Sequence, residues 1–259
     1  MYQHLIYQVQ NGVCTITLNR SEVYNALNTL LVQEITQAFE VAKADDFVRV
    51  VVLTGAGEKA FCSGADLKSG MTNATSLGDS LRKNYNPMIL AIRNLPKPVI
   101  CRLNGTAVGA GCSLALACDM IIAAENAKMS QIFVSIGLIM DAGSSFFLPK
   151  LVGSQKAFEL CSTGRVVEAQ ECLALGLVNS VVTPENLDLA VSNMANQYAN
   201  ASTSAIGLIK KVLNQSSFST LEEMLELEAI NQDLAGKTQD FEEGVTAFLQ
   251  KRKPSFKGF

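Results

Sequence analysis

A single histidine, His4, is all the imidazole available to this chain of 259 residues. It stands so close to the N-terminus, in a stretch expected to fray, that Ser-His-Asp and Cys-His catalysis and His-ligated metal sites are excluded. A surplus of positive charge is missing as well. The 21 basic side chains are balanced by 24 acidic ones, which leaves no electrostatic footprint for nucleic acid. No apolar run approaches the roughly 20 residues of a membrane span. Residues 1–10 lack the charged-then-apolar layout of a secretion signal, and a cytoplasmic location is expected. The seven cysteines include no Cys-x-x-Cys pair, are odd in number, and mostly lie in apolar surroundings such as Ile100-Cys101. They read as small buried hydrophobes rather than as a disulfide framework. Whatever chemistry the chain performs must use carboxylates, hydroxyls and backbone amides.

What is present is enough chain for a large core, with one domain and a C-terminal appendage as the natural division. Residues 6–10 and 13–18 alternate around Asn11-Gly12, the signature of a type I′ hairpin. Asn28 offers an N-cap, followed at helical spacing by Leu31, Ile35, Phe39 and Ala42. Residues 48–53 form a continuous β-branched run, which predicts a strand buried on both faces. Strands are also predicted over 98–103, 119–123 and 176–182, between helices, without any repeat of fixed period. Residues 68–80 are small and polar and read as a loop beside the site. Beyond residue 183 the pattern turns almost wholly helical: 186–199, 204–214, 220–235 and 240–251. The boundary therefore falls between 1–183 and 184–259.

The richest stretch is 104–151. A Gly/Ala-rich turn, Gly105 to Gly111, runs into a small-residue helix, and glycines there let the backbone approach a ligand. A helix N-terminus at that point supplies free N–H groups and a positive dipole end, a setting that suits an oxyanion. In the apolar run 132–148 the one residue able to titrate near neutral pH is Asp141. Asp141 can be read as an acid/base, or as the cap of a helix beginning near Gly143.

Asn104-Gly…Gly109-Ala-Gly-Cys112, preceded by Phe61-Cys-Ser-Gly-Ala-Asp-Leu67, resembles the crotonase superfamily, that is, the enoyl-CoA hydratase/isomerase family. The resemblance runs from about residue 5 to the C-terminus. Tyr85-Asn-Pro, Leu95-Pro-Lys-Pro-Val-Ile-Cys101 and the segment from Glu243 to Gly258 are most similar to the ring-epoxide isomerases of phenylacetyl-CoA breakdown. The resemblance implies an α/β fold, a spiral of ββα turns, with a C-terminal helical region that forms a trimer or a hexamer and helps to cover the ligand. It implies an acyl-CoA thioester as substrate and no separate cofactor. It places an oxyanion hole on the backbone N–H groups of Ala65 and Ala110, with Gly109 lining the pocket. It assigns coenzyme A to the loop of Ser63, Gly64, Asp66, Leu67 and Lys68. Lys68, Lys210, Lys251 and Lys257 could meet its phosphates.

The chain departs from the hydratase pattern at two positions. Hydratases of the family carry two glutamates that activate a water across the double bond; here those positions are Ser113 and Phe133, expected to line the pocket. Ser113 has no neighbouring base and reads as a wall rather than a nucleophile. Hydration needs acid and base work on both sides of the bond and is disfavoured. Asp141 matches the aspartate of the isomerase branch, although Met140 stands where that branch has proline and Ser144-Ser145 where it has Gly-Thr. Ile139, Met140, Phe146 and Phe147 are expected to desolvate Asp141 and raise its pKa. The expected activity is isomerisation of a phenylacetyl-CoA ring epoxide to its oxepin. Δ3-to-Δ2 enoyl-CoA isomerisation, hydration and silent acyl-CoA binding are the rivals.

Overall fold

The structure is a computed structural model and describes residues 2–69 and 74–259. Its first element is the predicted hairpin. β1 (Leu5–Gln10) and β2 (Val13–Leu18) pair antiparallel across Asn11 and Gly12, whose φ values of 51° and 79° are those a type I′ turn requires. From β2 onward the large sheet is parallel, adding β3 (Val50–Gly55), β5 (Val99–Leu103), β7 (Met120–Ala124) and β10 (Ser180–Val182). A smaller sheet runs β4 (Ala60–Cys62), β6 (Thr106–Val108), β8 (Lys128–Ser130) and β9 (Val167–Glu168). Successive turns of the chain lay a strand in the large sheet, a short one in the small sheet, then helix, which is the expected ββα spiral. All six residues of β3 are buried, as a β-branched strand with parallel partners on both sides should be.

The helices that matter to the site fill the gaps between strands. α1 (Thr29–Ala44) starts where the Asn28 side chain accepts from the Leu31 N–H. α2 (Leu77–Ser80) continues through a π-helical turn, Leu81–Tyr85, into α3 (Asn86–Arg93). α4 (Ala110–Leu116) follows β6, and α5 (Ser144–Val152) and α6 (Ser154–Thr163) follow β8. α7 (Ala169–Ala174) precedes the last strand. One apolar core joins Ile35, Phe39, Leu53, Phe61, Met88 and Leu114. A second lies on the other face of the large sheet, where Leu187, Val191 and Ala195 of α8 (Leu187–Ala199) cover Val50, Val52, Ile100 and Ile122. α9 (Thr203–Gln215), α10 (Leu221–Ala235) and α11 (Gln239–Leu249) complete the helical C-terminal region.

Two expectations are corrected. The N-terminus is not frayed at His4: the Gln3 and His4 N–H groups donate to the buried Glu34 carboxylate at 2.6 and 2.9 Å, and the His4 carbonyl accepts from Asn19. Of the stretch 68–80, residues 70–73 lie outside the described residues, but its end is not loop. Ser76 accepts from the Asp79 N–H and so caps α2. Six of the cysteines are buried and Cys161 is half-buried, all as free thiols. Burial pushes Cys62, Cys112 and Cys172 up to about 12, so they stay protonated and inert.

Candidate active site

The two glycine motifs, some forty residues apart in the chain, meet at the start of α4. A Cβ placed on Gly64, whose φ is 93°, would fall 2.7 Å from the Val108 carbonyl oxygen and 3.6 Å from the Ala110 nitrogen. A Cβ on Gly111 would fall 2.2 Å from the Cys62 carbonyl oxygen. Glycine at both positions is what allows the two backbones to touch. Leu27 then fixes the first loop: its N–H donates to the Gly64 carbonyl and its carbonyl accepts from Asp66. That pairing skips Ala65. Ala110 is the first residue of α4 and so has no intrahelical acceptor. Among the described residues neither the Ala65 nor the Ala110 N–H meets an acceptor. Two free amides on adjoining backbones are the raw material of an oxyanion hole.

Asp141 does not cap the helix that follows it. The N-cap of α5 is Gly143, and the helix has no side-chain cap. The Asp141 Oδ1 is sealed from solvent and meets no donor among the described residues. Burial alone raises its pKa from the ordinary 3.8 to about 6, because a carboxylate without donors loses more hydration than a carboxylic acid does. Its turn is strained. Ala142 holds φ at 48° ahead of Gly143 at 85°, a left-handed conformation that a non-glycine residue adopts at a cost of about 1 kcal/mol or more. Backbone bonds hold it, since Ser144 donates to the Asp141 carbonyl at 3.1 Å.

The walls differ from expectation. Ile139 is 83% exposed and desolvates nothing. Phe146 faces Phe218 and Lys150, in a cleft of about 380 Å3 that also holds Arg93 and Lys210. Phe147 alone of the pair backs the turn, with a ring atom 2.6 Å from where a Gly143 Cβ would stand. Met140 is half-buried against the main core. Phe133 is buried, its ring 3.8 Å from a Cβ placed on Gly109, the neighbour expected for it. Ser113 is not a wall: it is fully buried, because four residues past Gly109 the helix turns its hydroxyl inward, back to the Gly109 carbonyl at 3.2 Å and to the Ser144 hydroxyl at 2.7 Å.

The loop assigned to coenzyme A is built from within. The Asp66 carboxylate bonds Arg20 at 2.9 Å and accepts from the Lys68 and Ser69 N–H groups. The Arg20 guanidinium holds its pKa below the usual carboxylate range, and its oxygens are committed to loop shape rather than to a ligand. Ser63, Leu67 and Lys68 are exposed, as are Lys251 and Lys257. Lys210 is withdrawn from the phosphate candidates. It is buried, donating to the Ile92 and Lys97 carbonyls at 2.9 and 3.3 Å and pairing with Asp119 at 2.7 Å. Three residues near the site carried no role in the sequence reading. Tyr85 is half-buried, with its hydroxyl 3.5 Å from the Leu27 carbonyl, and its pKa is raised by burial first and then by the Asp141 charge. Its signal was its motif. Ser144 showed only as a departure from Gly-Thr, and Gln131 gave no signal.

Residues 8–258 match the enoyl-CoA hydratase/isomerase family. The chain is 38% identical to the 1,2-epoxyphenylacetyl-CoA isomerase of Escherichia coli (strain K12), over 100% of both chains. It is 34% identical to the crotonyl-CoA hydratase of Syntrophomonas wolfei, over 98% of each. Among solved structures, an enoyl-CoA hydratase from Bacillus anthracis superimposes with a TM-score of 0.94 at 35% identity, over 99% of this chain and 100% of that one. Relatives named as isomerases and as hydratases thus share this fold. The chain belongs to the enoyl-CoA hydratase/isomerase family of enzymes.

Proposed function

We propose that this enzyme isomerises a CoA thioester, with Asp141 as its one acid/base and the Ala65 and Ala110 N–H groups as its oxyanion hole. The observation that carries the reading is the half-buried Asp141, whose Oδ1 is sealed from solvent and meets no donor among the described residues, in a chain with Ser113 and Phe133 at the two positions expected to be glutamate in hydratases. A carboxylate near pKa 6 takes a proton from a carbon activated by the thioester. The electron pair moves onto the thioester oxygen, where two amides meet the developing charge. The enolate then collapses, and the same carboxyl returns the proton at another carbon. No atom is gained or lost.

The substrate we infer is a phenylacetyl-CoA ring epoxide, in which the C–C bond shared by the epoxide and the six-membered ring breaks alongside the proton shift to give the oxepin, supported by the isomerase relative at 38% identity. Migration of a Δ3 double bond to Δ2 would use the same parts. The loop of Ser63, Gly64, Asp66, Leu67 and Lys68, in which Ser63, Leu67 and Lys68 are exposed, is the proposed seat of coenzyme A. Residues 1–183 would carry binding and catalysis, and 184–259 assembly and cover. Incubation with a panel of aromatic and aliphatic CoA esters, read by mass spectrometry and chromatography, tests the reading. Conversion of one ester to an isomer of unchanged mass is expected. Retention of every ester unchanged, despite binding, would leave only an acyl-CoA binder.

A further inference from the structure

Four buried polar groups outside the proposed acid/base and anion-binding atoms form one directed chain. The Gln131 Nε2 amide donates to the Ser144 hydroxyl at 2.8 Å, the Ser144 and Ser113 hydroxyls are 2.7 Å apart, and Ser113 donates to the Gly109 carbonyl at 3.2 Å. Gln131, Ser144 and Ser113 are 3%, 0% and 0% exposed. The direction is forced at both ends, since an amide N–H can only donate and a carbonyl can only accept. The Ser144 proton therefore points to Ser113, and the Ser113 proton to Gly109. The terminal carbonyl is significant because Gly109 C=O and Ala110 N–H belong to one peptide group. A hydrogen bond accepted at the oxygen polarises that group and strengthens donation from its nitrogen, and chains of bonds reinforce the effect. At its second member the chain adjoins the Asp141 turn, where the Asp141 carbonyl accepts from the Ser144 backbone N–H at 3.1 Å.

We infer that Ser113 and Ser144 are positioning residues. They hold the Gly109–Ala110 peptide in place, strengthen its N–H as an oxyanion donor, and tie it to the Asp141 turn. In this chain the position that carries a glutamate in hydratases has become a support for the anion-binding amide. The inference rests on the reading of Ala110 as that amide.

The test reads the amide directly. Crotonyl-CoA labelled with 13C at its carbonyl is bound to the whole enzyme, and the carbonyl stretch is measured by difference infrared spectroscopy. In the parent the band should lie below that of free ester, as a hydrogen-bonded carbonyl does. Ser113→Ala should move it back towards the free value. The same change should lower kcat on the ester that the panel identifies by about two- to tenfold, the worth of one neutral hydrogen bond, with KM little changed. Ser113→Thr should restore both, because a helical threonine hydroxyl can bond the carbonyl four residues back. Ser144→Ala should give a smaller shift in the same direction, and it carries the test alone if Ser113→Ala does not fold. A band at the same position in parent and alanine variants overturns the inference while leaving the proposed function standing. A parent band unshifted from free ester removes both.

Discussion

At the scale of single residues the proposed reaction turns on Asp141. Asp141→Asn keeps the shape and removes the base. Turnover should fall by roughly a hundredfold to ten-thousandfold, while CoA-ester binding, which relies on backbone amides, should survive. A variant turning over the best ester at the parent rate would show that the acid/base lies elsewhere. The same carboxyl sets the pH dependence. Its folded pKa of about 6 exceeds the ordinary 3.8, so between those values the folded state binds more protons and stability falls as pH rises. Above pH 6 the penalty is complete, at most about 3 kcal/mol. Asp141→Asn, which has no such penalty, should therefore be more stable than the parent at pH 8, with the advantage shrinking towards pH 3. Urea melts at the two values would settle this. The acid limb of kcat/KM should bend near pH 6 as the base is protonated. With Ser113 and Phe133 in place of glutamates, hydration of crotonyl-CoA should be weak or absent. Rapid loss of the enoyl absorbance with the parent enzyme would contradict that.

At the scale of elements, α9 is fastened to the end of α3 by buried charge. Lys210 satisfies the Ile92 and Lys97 carbonyls and Asp119, while Arg93 bridges Asp119 and Asn214. Lys210→Met should cost about 1–3 kcal/mol, because it leaves the Ile92 and Lys97 carbonyls without their buried donor, while Asp119 keeps Arg93 and the Val99 N–H. Lys68→Met, on an exposed loop, should leave the midpoint of denaturation unchanged. Lys210 also marks where the sequence stopped being legible. A lysine at helical spacing among apolar residues reads the same whether its tip reaches solvent or buried carbonyls, since the partners lie over a hundred positions away. Local signals were read well for the same reason. Asn11-Gly12, the Asn28 cap and the β-branched run at β3 each declare themselves within a few residues. The meeting of Gly64 with Ala110 was visible only through the resemblance. Ser113 was misread because its spacing from Gly109 says that it lies one helical turn on, but not that Ser144 waits on the inner side.

At the scale of the whole molecule, the C-terminal helices leave much apolar surface uncovered. Phe218, Leu221, Phe248 and Leu249 are 66%, 70%, 83% and 74% exposed, and large apolar surface left open marks a place for a partner where it is contiguous. We propose a trimer or a dimer of trimers that buries this face. Light scattering at micromolar concentration should give a mass of three or six chains, and a monomer there would refute it.

The hydroxyl contact between Ser113 and Ser144 also constrains how such a molecule can change its reaction. A family member named as a hydratase shares its backbone closely, with a TM-score of 0.94, so on the proposed reading a change of reaction would come by substitution within a fixed frame. Replacing Ser113 by glutamate in one step would drive a carboxylate into a fully buried position and strand the Ser144 hydroxyl. Replacing Ser144 by glycine first would clear space beside it and leave Ser113 still bonded to Gly109. The order of the two changes then decides whether the intermediate folds, which is sign epistasis between two positions 31 residues apart in the chain and 2.7 Å apart in space.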